Sequence, residues 1–228
     1  MIPYYILKIN YDKLERKYTL KNQIEISKNN EAISDSAKTY IEKINDYSIK
    51  NYHIYKYFYE KGVDEEIRVN NDKINFYFEI HKDNKIYINK TNDYLIFEGS
   101  KKSFLNFYNE FYKNNILDIK KMNVDYNKIL DNRHNSNVTN MWIGNIKDIN
   151  LRTANMIGSG VDDSEQCKKL LKEDGEITNL TIDYTPNSKS GNKRIMITDI
   201  GGIILYKKEK SIIDTLNLVL SAAKDLLD

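Results

Sequence analysis

Three short stretches of the chain carry side chains that could do chemistry. Asp131-Asn132-Arg133-His134-Asn135 sets an imidazole beside a guanidinium in a polar, Asn-rich segment. In metal-independent RNA cleavage His134 would act as general acid or base and Arg133 would hold the phosphate. A solvated loop accounts for the same residues equally well. The second stretch centres on Glu79, with Asp72 before it and His81 and Lys82 after it. A metal-dependent nuclease clusters carboxylates near a strand-borne lysine, but the two-residue period of a strand puts His81, not Lys82, on the face of Glu79. Asp183 and Asp199, at the borders of the last hairpin, could also share a site. The third stretch is Gly158-Ser159-Gly160, ahead of a helix expected from Ser164. Such a turn can cradle phosphate with free amides and the positive end of the helix dipole. Here Asp162, Asp163 and Glu165 satisfy those amides and repel an anion, so a capped turn is the expectation.

Binding without chemistry has two candidate surfaces. Ser188 to Arg194 is a short basic loop between two strands, and Lys189, Lys193 and Arg194 could reach a nucleic-acid backbone. A solubilising hairpin loop is the plainer account of the same residues. The run Tyr52, Tyr55, Tyr57, Phe58, Tyr59 wraps too much of a helix to be one buried stripe, which predicts exposed rings suited to a protein interface or to base stacking. His53, His81 and His134 stand apart from one another and from the one cysteine, Cys167, so no metal-ligand spacing arises and neither metal nor cofactor is expected.

The elements that must position these residues follow from periodicity. Tyr5, Leu7 and Ile9 alternate in a strand near the start, and Ser34 caps a predicted helix through Tyr40, Ile41 and Ile44 that continues along the tyrosine run to Gly62. Ile74 to Phe78, Ile86 to Ile88 and Tyr94 to Glu98 read as a three-stranded meander with turns at Asp83-Asn84 and Asn92-Asp93. A helix from Ser100 or Ser103 carries Phe104, Tyr108, Phe111 and Tyr112. Trp142 to Ile146 reads as a strand and Ser164 to Leu171 as a helix capped by Asp163 or Ser164. Leu180 to Tyr184, Arg194 to Thr198 and Ile203 to Tyr206 form a second meander, and a helix capped at Ser211 buries Ile212, Ile213, Leu216, Val219, Leu220, Ala223 and Leu227. The pattern predicts an α+β fold with largely antiparallel sheets, helices packed on one face, and a strand-strand-strand-helix order used twice, over 74–115 and 177–228. The polar stretch Lys128 to Asn140 suggests a division into 1–130 and 131–228, with a single domain as the alternative.

Composition bounds the function. The 228 residues include 29 Asn, 32 Ile and 30 Lys against 5 Arg and 2 Pro, the set that AT-rich codons encode, as in an AT-rich bacterium, phage or plasmid. A 40% hydrophobic content argues against disorder, and a net charge of +2 withholds the electrostatic footprint of a duplex binder. With a single cysteine, no basic leader and no apolar run long enough to span a bilayer, a cytoplasmic protein without a membrane partner is expected. Its expected role is non-enzymatic binding of another protein, as an adaptor or inhibitor in a bacterial, phage or plasmid conflict system, in antiviral defence or counter-defence. Nucleic-acid binding and a small nuclease are the alternatives, and pairing into a homodimer through a sheet edge is open to it.

Overall fold

The computed structural model describes residues 2–10, 17–28, 31–44, 49–69, 72–90, 93–131, 137–147, 150–186 and 191–227. Their elements are β1 (Pro3–Ile9), β2 (Lys17–Lys28), β3 (Glu31–Lys43), β4 (Tyr52–Val69), β5 (Asp72–Asn89), β6 (Tyr94–Glu98) and α1 (Lys101–Lys113), then β7 (Ile119–Lys121), α2 (Tyr126–Asp131), β8 (Asn137–Gly144) and β9 (Ala154–Ile157). α3 (Glu165–Lys172), β10 (Glu176–Tyr184), β11 (Lys193–Thr198), β12 (Gly202–Leu205) and α4 (Ile212–Leu226) complete the chain. The fold is α+β with antiparallel strand pairing. Two compact units are built from interleaved segments: residues 1–8, 98–104 and 119–228 form one, and 9–97 with 105–118 form the other. The strand-strand-strand-helix order recurs, but the first copy differs from the one expected over 74–115: the strands expected at Ile74 to Phe78 and Ile86 to Ile88 are one strand, β5, and the order runs β4-β5-β6-α1, with β10-β11-β12-α4 as the second. Among the described residues no helix is long and apolar enough to cross a membrane.

In the second unit β4 and β5 pair without interruption from Tyr52 opposite Asn89 to Val69 opposite Asp72. The helix expected from Ser34 to Gly62 is therefore replaced by strands, β3 and β4, and the expected turn at Asp83-Asn84 is a straight ladder, with those residues opposite Phe58 and Tyr57. The reason is a period that two templates share. Tyr52, Tyr55 and Tyr59 fit helical spacing, but Tyr55, Tyr57 and Tyr59 are buried while Lys56 and Phe58 are half-exposed, a strict alternation of residues that favour a pleated surface. Tyr57 lies fully buried among Phe97, Phe107 and Phe111, with ring centroids 5.9, 5.3 and 6.0 Å away. Its hydroxyl has no hydrogen-bond partner.

In the first unit the strand order is β1-β12-β11-β10-β8-β9, with β7 also paired to β1. Along β10 the residues Leu180, Ile182 and Tyr184 share one face, and Tyr184 reaches α4 there, its hydroxyl donating to Asp225 and lying 3.0 Å from Ser221 Oγ. α4 starts where the sequence places it: Ser211 Oγ accepts from the Asp214 amide at 3.1 Å. Ser100 and Ser164 cap α1 and α3 in the same way, accepting from Ser103 N and Cys167 N. α3 buries Cys167, whose Sγ sits 3.4 Å from Met141 Sδ of β8. At Gly202 β12 has no room for a side chain, since a Cβ would lie 2.6 Å from the Tyr5 ring. Tyr5 in turn stacks on Phe104 at 4.2 Å.

Two stability predictions follow from buried phenols. Tyr57→Phe removes an unpartnered hydroxyl and keeps the ring, so the variant should be more stable than the parent by about 1 kcal/mol in urea denaturation. In the first unit burial raises the pKa of Tyr4, Tyr5, Tyr126 and Tyr184, with nearby Glu98, Asp199 or Asp225 adding to the effect, and Tyr5 is pushed up to about 12. Unfolded tyrosine loses its proton near pH 10, so above that pH the unfolded chain binds fewer protons than the folded one. Stability should hold its value below about pH 10 and fall from there toward pH 12, with ionisation at 295 nm appearing together with loss of the fold.

Candidate functional site

A cleft of about 390 Å³ opens on the first unit, on the face of β10 turned away from Leu180, Ile182 and Tyr184. Its floor comes from a defect in the sheet. β8 pairs with β10 through Leu180 opposite Met141 and Thr181 opposite Asn140, and then the register slips so that Ile182 faces Val138. Thr139 is the extra residue of a β-bulge, a device that re-aims side chains. Regular alternation would send one of Thr139 and Asn140 toward the core; instead both line the cleft while Val138 and Met141 stay buried.

One wall is the turn after β9. Gly158 N donates to Thr139 O at 3.1 Å and Gly160 N to Val138 O at 2.9 Å. Asn137 Oδ1 accepts from Ser159 Oγ at 3.2 Å and from Gly160 N at 2.9 Å. The glycine amides that a phosphate loop would need are thus committed to β8, and Gly160 adopts φ 63°, a conformation glycine takes without strain. The other wall is Arg194 and Tyr206. Arg194 lies opposite Asp183 in the β10–β11 ladder and grips it with two bonds, Nε to Oδ1 at 2.9 Å and Nη2 to Oδ2 at 3.2 Å. Hydrogen bonding to Asp183 holds the guanidinium pKa above its ordinary value. Tyr206, 41% exposed, stands next to Arg194, whose carbonyl accepts from the Tyr206 amide at 3.2 Å. Its hydroxyl is 3.5 Å from Thr181 Oγ1, beyond the usual O–H···O distance of about 2.8 Å, which leaves both groups with capacity to spare. Asn140 Oδ1 is shielded from water and has no hydrogen-bond partner.

The cleft therefore offers amides, hydroxyls, an exposed ring and a cation already matched by a carboxylate. That set can orient a ligand by hydrogen bonds. It contains no nucleophile held against a base, and among the described residues no three His, Cys, Asp or Glu side chains converge on a metal position.

Of the residues singled out from sequence, Arg194, Gly158 and Ser159 line this cleft. Lys193, beside Arg194, is tied to Glu209 at 2.6 Å. Lys189, Arg133 and His134 lie outside the described residues. Glu79 stands on β5 opposite Gly62, with its side chain outside the described set. Asp183 and Asp199 do not share a site: one binds Arg194 and the other Lys101, at 3.0 Å. Tyr52, Tyr55, Tyr57 and Tyr59 are 3%, 3%, 0% and 4% exposed, so the rings expected at an interface are core. His53, also on β4, has its pKa lowered by burial and then by Lys90. Sequence reasoning missed Asn137, Asn140, Thr181 and Tyr206. Only the bulge brings the asparagines to the cleft, and a bulge leaves no mark in a hydrophobic pattern.

No protein-family model matches the chain, and no curated protein matches it by sequence.

Asn137 adds side-chain bonds to the two backbone bonds that hold the cleft wall to its floor. Asn137→Ala should cost about 1–2 kcal/mol in chemical denaturation, because it takes the acceptor from Ser159 Oγ and one of two from the Gly160 amide.

Proposed function

We propose that this protein works by non-enzymatic contact with another protein, as an adaptor or inhibitor, and that it receives a partner's extended segment along the open edge of β9. The observation that carries the reading is the chemistry of that edge. β9 ends the strand order of its sheet, and among the described residues β8 is its one neighbour. Because Gly158 N bonds Thr139 O, the antiparallel alternation turns Met156 and Ala154 toward β8 and leaves the N–H and C=O groups of Asn155 and Ile157 facing outward. Edge strands are commonly guarded by lysine, proline or a bulge. Ala154-Asn155-Met156-Ile157 has no charge and no proline, and its pairing with β8 is regular.

Side chains beside the edge add apolar surface. Ile157 is 74% exposed and Trp142, opposite Asn155, is 40% exposed, with Leu151 at 41% close by in sequence. Tryptophan is over-represented among the few residues that dominate interface energies. Main-chain pairing at an edge supplies affinity while alternate side chains supply choice of partner. The nucleic-acid reading draws less support, because Arg194 and Lys193 already hold carboxylates of their own.

Asn155→Pro tests the reading. Its N–H points away from β8, so proline there spares the native ladder and removes the outward donor. A photo-crosslinking residue at position 157 should give one dominant adduct in cells that express the protein, and the adduct should be lost in Asn155→Pro protein of unchanged melting temperature. An adduct that survives the proline, or none at all, would remove the edge from the account. An adduct of twice the chain mass would make the partner a second copy.

A further inference from the structure

We propose that the cleft beside Arg194 and Tyr206 binds a planar heterocycle carrying an exocyclic amine, of the adenine or cytosine kind. The proposal stands apart from the strand-addition reading. It starts from size: about 390 Å³ lies within the range of roughly 300–1,000 Å³ typical of small-ligand pockets.

The chemistry comes from Asn140. Its Oδ1 is cut off from water and from every donor of the protein, a state that is unfavourable for a polar atom. The terminal torsion of asparagine is soft, so the amide gains from any rotation that brings the oxygen to a donor. The side chain lines the cleft, so a ligand N–H placed there draws the oxygen round and relieves the deficit. An exocyclic amine supplies that donor, and the ring nitrogen next to it accepts from the other end of the same amide. Asparagine reads adenine through this pair of bonds.

The remaining groups suit a flat, neutral ring. Tyr206 brings an aromatic ring, 41% exposed, and Ile157 an exposed apolar side chain to the lining of the cleft. Thr181 and Tyr206 hydroxyls, 3.5 Å apart, each keep hydrogen-bonding capacity for polar edges. Arg194 could suggest a phosphate, but the fork on Asp183 already occupies its Nε and Nη2 and balances its charge, so the ring rather than an anion determines binding.

A nucleobase can arrive as a free nucleoside or within a single strand, and the experiment separates them. Trp142 is the one tryptophan and stands two residues from Asn140 on the same strand, so its fluorescence reports occupancy of the neighbouring cleft. Adenosine, inosine, cytidine, uridine and short oligo-adenylate are titrated into the full chain, with calorimetry on the same samples. Adenosine should bind at least about tenfold more tightly than inosine, which has the same shape and lacks the amine, and cytidine more tightly than uridine by a similar factor. Asn140→Ala should erase that preference and leave the fold intact. Saturation by adenosine assigns the site to the free nucleoside; saturation by oligo-adenylate alone, with the same dependence on Asn140, assigns it to a strand. Equal binding of adenosine and inosine, an unchanged preference in Asn140→Ala, or no saturation by any of the five at millimolar concentration would overturn the proposal. The analogue comparison needs no variant and is run on the unaltered chain without a partner, so its failure is distinct from failure of the strand-addition reading.

Discussion

The two-residue period of β10 decides where the first unit keeps its core and where it meets solvent. β10 is hydrogen-bonded on both sides, to β8 and to β11. Each successive side chain must therefore go to one face or the other. Leu180, Ile182 and Tyr184 take the face where Tyr184 meets α4, and Thr181 and Asp183 take the other. A slip of one residue would exchange the two sets and drive Asp183 into the core while exposing Ile182. The bulge at Thr139 sits on β8, so β10 keeps its alternation from Asn179 to Tyr184, beyond its own register shift at Thr178. Its effect is confined to the polar face, where it gathers Thr139 and Asn140 at one place.

Much of this unit could be read from the sequence because local signals and long-range packing agree. The last meander alternates cleanly, and Ser211, Ser164 and Ser100 all cap the helices that follow them. The tyrosine run is the counterexample. Tyr52, Tyr55 and Tyr59 carry a spacing that two structures share, and the strand won because it buries Tyr55, Tyr57 and Tyr59 together, with Tyr57 set among Phe97, Phe107 and Phe111. None of those partners is near in sequence. The candidate site was legible in Arg194, marked by its charge, and in Gly158-Ser159, marked as a glycine turn. Asp183, the partner of Arg194, becomes visible once the strand register is known, and Asn140 once the bulge is.

Among the described residues around the last hairpin, four basic side chains are held by carboxylates. Arg194 holds Asp183, Lys193 holds Glu209, Lys101 holds Asp199 and Lys208 lies 3.6 Å from Glu98. Such partly exposed pairs add little to stability. Their larger effect is to cancel the field locally, so that a ligand approaching the open face meets hydrogen-bonding groups and apolar surface before it meets net charge. Polar recognition at short range, with weak steering from a distance, is the regime this surface sets.

Cys167 gives the molecule an internal clock. It is the only thiol, it lies fully buried between α3 and Met141, and burial raises its pKa, so the reactive thiolate is both scarce and screened. An alkylating reagent reaches it only when α3 lifts from β8. The labelling rate therefore counts the openings of one helix, and it does so without any engineered probe.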